Sequence, residues 1–332
     1  MNTKNTKSAV IILLMIANIF FIYNIIMLNV RTQNIPSAMI ENAVNVLGNN
    51  GFSVDKNVIP VKKPTNYIYE GVYSGNIFKE LVAGFSEIPE EEIQELPALP
   101  DGKIKYNEGN YIFIFDKSDY LKINIMDESH EKAKDDYRVI EIETEEEIGL
   151  LITQANSIMS VQKNDIKKAE KIIKDFLKKY YKYQKIQKSQ SQDIKLDVEI
   201  DIISLKKETG SEPEKVIINQ KVDGLPVNSH IVYVEIKNGE VLYFYGTWYF
   251  GSFVARYKMP LLDSVNILFK YFEKDGNNAE KEEKLIKMDI EYNIQPHESG
   301  DFYKKFYLMP SWTLIFGDGK KSSYDMITGI KN

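Results

Sequence analysis

Apolar positions along this chain recur with two different periods, and one stretch has no period because nearly every position in it is apolar. From Ser8 to Val30 the sequence reads SAVIILLMIANIFFIYNIIMLNV, 23 residues without a charge. An α-helix needs about 20 predominantly apolar residues to cross a hydrocarbon core roughly 30 Å thick, so this stretch predicts one transmembrane helix. A cleaved signal peptide would have a shorter apolar region, about 7–15 residues, followed by a small-x-small site. Here the run leaves through Met27-Leu28-Asn29-Val30-Arg31, and an uncleaved signal anchor is expected. Lys4 and Lys7 precede it and only Arg31 follows closely. The positive-inside rule then places the short tail in the cytoplasm and everything beyond residue 31 outside.

Past the span the pattern alternates between helical and strand periods. Asn34-Ile35-Pro36 has the form of a helix start, with Asn as cap and Pro at the first position. Met39, Ala43, Val44 and Leu47 follow at helical spacing, and Gly48-Asn49-Asn50-Gly51 ends the segment. Strand-like stretches at 52–61 and 67–73, a short helix at 77–83, a Pro- and Glu-rich connector at 88–100 and β-type segments at 103–106, 111–116 and 120–126 come next. From 164 to 181, Ile166, Ala169, Ile172, Ile173, Phe176, Leu177 and Tyr180 share one helical face while Lys fills the other. Strands are predicted at 195–205, 215–222, 227–236 and 240–250. Asp223-Gly224 and Asn238-Gly239 stand between the later pairs, the dipeptides that favour tight hairpins. A helix at 260–272 places Leu261, Val265, Leu268 and Phe272 on one stripe, and strands return at 285–294, 306–316 and 320–326. Helix followed by antiparallel strands thus occurs from 164, again from 260 and more faintly from 36. The expected architecture is α+β: a single N-terminal transmembrane helix followed by repeated helix-plus-antiparallel-sheet units. Residues 1–31 would be tail and anchor, 32–160 a first outer domain and 161–332 a second.

Composition narrows the function classes. The first 31 residues contain three basic and no acidic residues, so the remainder carries 39 Lys and Arg against 48 Asp and Glu. Such an acidic outer part is unsuited to binding nucleic acid or anionic polymers by general attraction. With no cysteine in the chain there is no disulfide framework, thiolate metal site or cysteine nucleophile. His130, His230 and His297 are scattered, and none has a second histidine or a carboxylate at ligand spacing on one helix face. Ser53-Val54-Asp55-Lys56 and Ser160-Val161-Gln162-Lys163 match the S-x-x-K nucleophile motif of penicillin-recognising enzymes. Ser53, however, enters a strand rather than a helix, and no K-T-G string accompanies it. The glutamate runs at 90–92 and 141–147 lack the alternating ligands and glycine bend of a calcium loop. No catalytic residue, metal site or cofactor is assigned. Tyr243, Phe244, Tyr245, Trp248, Tyr249 and Phe250 crowd one strand, so rings fall on both of its faces. Trp248, and Trp312 further on, belong either to a sheet core or to a docking face.

These features together resemble the YycH/YycI regulators of Gram-positive bacteria, and YycI more than YycH. The resemblance rests on the basic tail, on the span reading Ala17-Asn18-Ile19-Phe20-Phe21-Ile22-Tyr23-Asn24, and on the strand-turn-strand from Asn219 to Val227 with Gly246-Thr247-Trp248 after it. Pro310-Ser311-Trp312, Asp318-Gly319-Lys320 and Asp325-Met326-Ile327-Thr328-Gly329 are similar to the closing hairpin of PepSY-type units. The resemblance implies a non-enzymatic membrane protein that tunes a sensor histidine kinase of the WalK type controlling cell-wall metabolism. Its partners would be that kinase, the membrane and a paralogous YycH-like regulator, with no nucleic acid. It would act by association of transmembrane helices, its outer domain sensing or binding something further. Asn18, Tyr23 and Asn24 are then the candidate partner-contacting positions. Interhelical hydrogen bonds of this kind contribute about 0.6 kcal/mol on average, enough to select a register without holding an assembly. Asn18 could equally bond a backbone carbonyl, and Asn24 could lie among outer headgroups. A different class of reading is an extracytoplasmic PepSY-like module that inhibits or escorts a secreted protease, with its contacts on the Trp248 or Trp312 sheet.

Overall fold

The computed structural model describes residues 34–64, 67–72, 77–86, 88–93, 103–108, 110–116, 122–127, 163–187, 199–207, 213–257, 260–274, 283–296 and 305–332. Among them are four helices: α1 (Ser37–Asn49), α2 (Ile77–Ser86), α3 (Lys163–Gln187) and α4 (Ser264–Lys274). The strands are β1 (Phe52–Val54), β2 (Ile68–Val72), β3 (Lys103–Glu108), β4 (Tyr111–Asp116), β5 (Lys122–Asp127), β6 (Glu199–Lys206), β7 (Glu214–Val222), β8 (Leu225–Lys237), β9 (Glu240–Thr247), β10 (Ser252–Tyr257), β11 (Glu283–Pro296), β12 (Lys305–Phe316) and β13 (Lys321–Asp325). The chain forms two compact units interleaved along the sequence. Unit 1 takes the described parts of Met1–Tyr67, Lys258–Ile290 and Pro310–Asn332, and unit 2 those of Ile68–Tyr257 and Glu291–Met309.

Unit 1 is built on α1, α4 and the strands β1, β11, β12 and β13. Ile40, Ala43 and Leu47 of α1 meet Val265, Leu268 and Tyr271 of α4 over Trp312, Leu314, Phe316 and Tyr324. The buried stripe of α1 keeps the predicted Ala43 and Leu47, but Ile40 takes the place of Met39, which is 39% exposed. Pro36 occupies the N-cap position and Asn34 instead bridges to Lys62. In α4 the cap is Asp263, whose Oδ1 accepts the Asn266 N–H at 3.0 Å, so Pro260 and Leu261 stay outside the helix. β12 and β13 pair antiparallel, with Trp312 opposite Tyr324 and Ser311 opposite Asp325.

Unit 2 contains the longer strand order, β10-β2-β12-β11-β8-β9-β5-β4-β3, with β7 and then β6 on the other side of β8. Its turns follow from local chemistry. Asp223-Gly224 and Asn238-Gly239 both hold two consecutive positive φ angles (52° and 75°, 55° and 85°), the mirror-image turn whose twist matches paired strands. One face of the sheet meets α2 and α3 through Leu81, Phe85, Ala169, Ile173, Phe176, Leu177 and Tyr180, packed on Phe113, Phe115, Val232, Val234 and Phe244. The opposite face has its own buried cluster: Ile112, Ile114, Met126, Ile217, Tyr233, Tyr243 and Tyr245.

The expected architecture of repeated antiparallel units is overturned by the strand pairing. Pairing is mixed: β1 runs parallel to β11, and β11 parallel to β8 at Tyr292–Val227. Repeated helix-plus-antiparallel-sheet units therefore do not describe the fold. Alternation of apolar residues reports that a segment is a strand with a buried face, but it does not encode which strand lies beside it or in which direction. The predicted span at 8–30 lies outside the described residues. Among the described residues no helix is long and apolar enough to cross a membrane; α3, the longest, is amphipathic, with exposed Lys167, Lys168, Lys171, Lys178 and Lys179.

Candidate functional site

The polar chemistry buried in unit 2 centres on three neighbouring elements. Gln220 sits where the β7–β8 register slips, between Asn219↔Ile231 and Lys221↔Pro226. Its Nε2 donates to the Tyr249 carbonyl at 2.8 Å, and its Oε1 accepts the Tyr249 N–H at 3.0 Å. Both ends of the amide are thus fixed by one backbone residue. The same Oε1 lies 2.5 Å from Nδ1 of His230. An amide oxygen only accepts, so the imidazole must carry its proton on Nδ1 and donate it to Gln220. His230 Nε2 is then an unprotonated acceptor, fully buried and without a hydrogen-bond partner. Burial alone lowers the imidazole pKa from 6.5 to about 3, because charging the ring there would place a cation in an apolar interior. The indole N–H of Trp248, 1% exposed, also has no hydrogen-bond partner.

A second buried polar group occupies the opposite sheet face. Tyr233 donates its hydroxyl to Glu235 Oε1 at 2.7 Å, and both are buried. Strand register places Tyr245 between Tyr233 and Asn124, and Tyr243 between Glu235 and Met126. Asn124 is 1% exposed, and neither its amide nitrogen nor its oxygen has a hydrogen-bond partner. At the β2–β10 pair, Arg256 forms an ion pair with buried Glu70.

Geometry limits what these groups can do chemically. His230 lies on the even-numbered side of β8 with Val232 and Val234, and the Tyr233–Glu235 pair on the odd-numbered side, since strand side chains alternate. The imidazole and the carboxylate therefore cannot act on one molecule. An imidazole with a pKa of about 3 is also a poor proton acceptor near neutral pH, where a general base works best with a pKa close to the ambient value. Among the described residues, no group of three or more His, Asp or Glu could hold a metal ion.

Of the residues singled out from the sequence, Asn18, Tyr23 and Asn24 lie outside the described residues, as do His130 and His297. Trp248 and Trp312 are both interior, 1% and 0% exposed. Trp248 packs with Phe244 and Phe250, and Trp312 donates its indole N–H to the Leu262 carbonyl at 2.9 Å. Ser53 is in strand β1, not at a helix start. Sequence reading passed over Gln220, Asn124 and the Tyr233–Glu235 pair. The run Ile231-Val-Tyr-Val-Glu did hold a signal, a carboxylate on the inward phase of a strand buried on both sides.

No protein-family model matches the chain, and no curated protein does. Among solved structures, an uncharacterized protein from Eubacterium rectale is similar at a TM-score of 0.41 and 8% identity, over 85% of this chain and 89% of that one.

Proposed function

We propose that the protein is a non-enzymatic regulator of a two-component sensor histidine kinase that controls cell-wall metabolism. In this reading the uncharged stretch 8–30 attaches it to the cell membrane and carries the contact with the kinase, while residues beyond 31 act outside the cell. The observation that carries the reading is the resemblance to YycI-type regulators along most of the sequence, from the basic tail to the closing hairpin. The residues quoted for it fold as coherent elements: Asn219–Val227 joins β7 to β8, and the stretch from Pro310 to Gly329 holds the latter part of β12, all of β13 and the turn after it. The protease-binding alternative drew on the Trp248 and Trp312 sheets as contact faces. Both indoles are interior, so that reading gains no exposed tryptophan from the fold.

Expression of residues 1–35 alone, with kinase output followed by a reporter of its response regulator, tests the proposal. A fragment that alters output to the same sign as the full chain is the expected result. A fragment that inserts in the membrane but leaves output unchanged, together with full-length protein that fails to co-purify with the kinase, would overturn it.

A further inference from the structure

We propose that His230 and Gln220 form an acid-sensitive latch that holds the Trp248–Phe250 segment against β7 and β8, and that acidification releases this segment while the rest of the sheet stays closed. The inference does not depend on the partner proposed above, because it rests on how one buried amide is shared. Gln220 clamps both backbone groups of Tyr249, and the His230 Nδ1–H fixes the orientation of that clamp. The one site left for a second proton is Nε2, buried and without an acceptor. A new N–H there would point into apolar surroundings, so the ring can accept a proton only when the segment opens and water enters.

No opposing charge among the described residues relieves this. β7 presents neutral Gln220, and its Lys221 is paired with Asp201 of β6 at 3.3 Å. Glu199 of β6 accepts the Gly224 N–H. The segment after β9, Trp248 to Phe250, carries no carboxylate or ammonium, and Asn228 of β8 bonds Asn293 of β11. Burial is the sole cause lowering the imidazole. The direction follows from that depression. Above pH 6.5 both closed and open forms are neutral and the latch is at full strength. Between pH 6.5 and about 3 the open form binds a proton that the closed form does not, so opening grows about tenfold per pH unit.

Backbone hydrogen exchange of the full-length protein, read by mass spectrometry on peptides covering residues 244–253 and 229–236, tests this between pH 7.5 and 4.5. After correction for intrinsic exchange, protection of the 244–253 peptide should fall about tenfold per unit below 6.5, and that of the β8 peptide should not. His230→Gln, which keeps an amide donor for Gln220 but cannot titrate, should flatten the dependence. An equal slope in the variant, equal loss in both peptides, or no loss in the wild type would each overturn the latch. Imidazole nitrogen shifts of the wild type provide a measurement that needs no variant. A neutral Nδ1–H tautomer persisting at pH 5 is expected, and titration near 6.5 with unchanged exchange would refute the proposal.

Discussion

Asp325 ends β13 with its carboxylate turned inward, 4% exposed. One oxygen, Oδ1, accepts three hydrogen bonds: from the Ile327 N–H at 3.0 Å, the Thr328 N–H at 2.7 Å and the Thr328 hydroxyl at 2.8 Å. The loop it closes also returns the chain to β13, since the Asp325 N–H donates to Ile330 and the Gly329 N–H to Asp325. Replacing Asp325 by Ala leaves all three donors without their acceptor. Hydrogen bonds to a charged group contribute about 1.5–3 kcal/mol each. Two of these donors belong to Thr328, which is exposed and can recover water, so a net loss of about 3 kcal/mol is expected. Asp325→Asn keeps an oxygen in the same place and should cost about 1 kcal/mol, the difference between a charged and a neutral acceptor. The chain has two tryptophans, so a Trp248→Phe background leaves Trp312, next to Ser311, the register partner of Asp325, as the chain's sole tryptophan. Guanidinium unfolding followed by Trp312 emission measures both variants. A cost below about 1 kcal/mol for Asp325→Ala, or equal costs for Ala and Asn, would refute the idea that one acceptor oxygen organises this loop.

Other substitutions test the packing directly. A Cβ at Gly246, where φ is 144°, would collide with the Ile231 carbonyl and the Val232 Cα, so Gly246→Ala should cost about 3 kcal/mol by thermal or chemical unfolding of unit 2. Trp312→Phe removes the donor to the partly buried Leu262 carbonyl and some core volume, and about 3 kcal/mol should be lost in unit 1, read by near-ultraviolet circular dichroism. Lys207→Ala breaks a 2.6 Å ion pair with Asp165, but the lysine is 54% exposed, so the unfolding free energy from guanidinium titration should fall by less than about 1 kcal/mol.

Legibility varied with how local the cause was. Both hairpin turns could be read because Asp223-Gly224 and Asn238-Gly239 suit positive φ whatever surrounds them. The lysine-rich helix was equally plain, with Ala169, Ile173, Phe176 and Tyr180 recurring at one period. Helix starts were less secure: Asp263 competes with Pro260 for the cap of α4, and the hydrogen bond to Asn266 decides it. Parallel pairing of β1 with β11 joins residues some 230 positions apart and leaves no local mark. The buried polar groups of unit 2 were hidden because their partners depend on strand register. Gln220 reads as an ordinary strand residue until a register slip turns its amide toward Tyr249, and nothing near His230 in the sequence announces that amide.

The interleaving of the two units has a consequence for biosynthesis. Strands β11 and β12 each begin in one unit and finish in the other, so any continuous fragment holding all of unit 2 also carries a piece of unit 1. The apolar side of α1 leaves the ribosome long before Trp312 and Tyr324, the rings it is meant to cover. At translation rates of about 5–20 residues per second, that helix waits on the order of 15–50 s for its partners. During that interval Ile40, Ala43 and Leu47 are an orphaned greasy surface on a nascent chain, and chaperone capture of stalled intermediates should peak there.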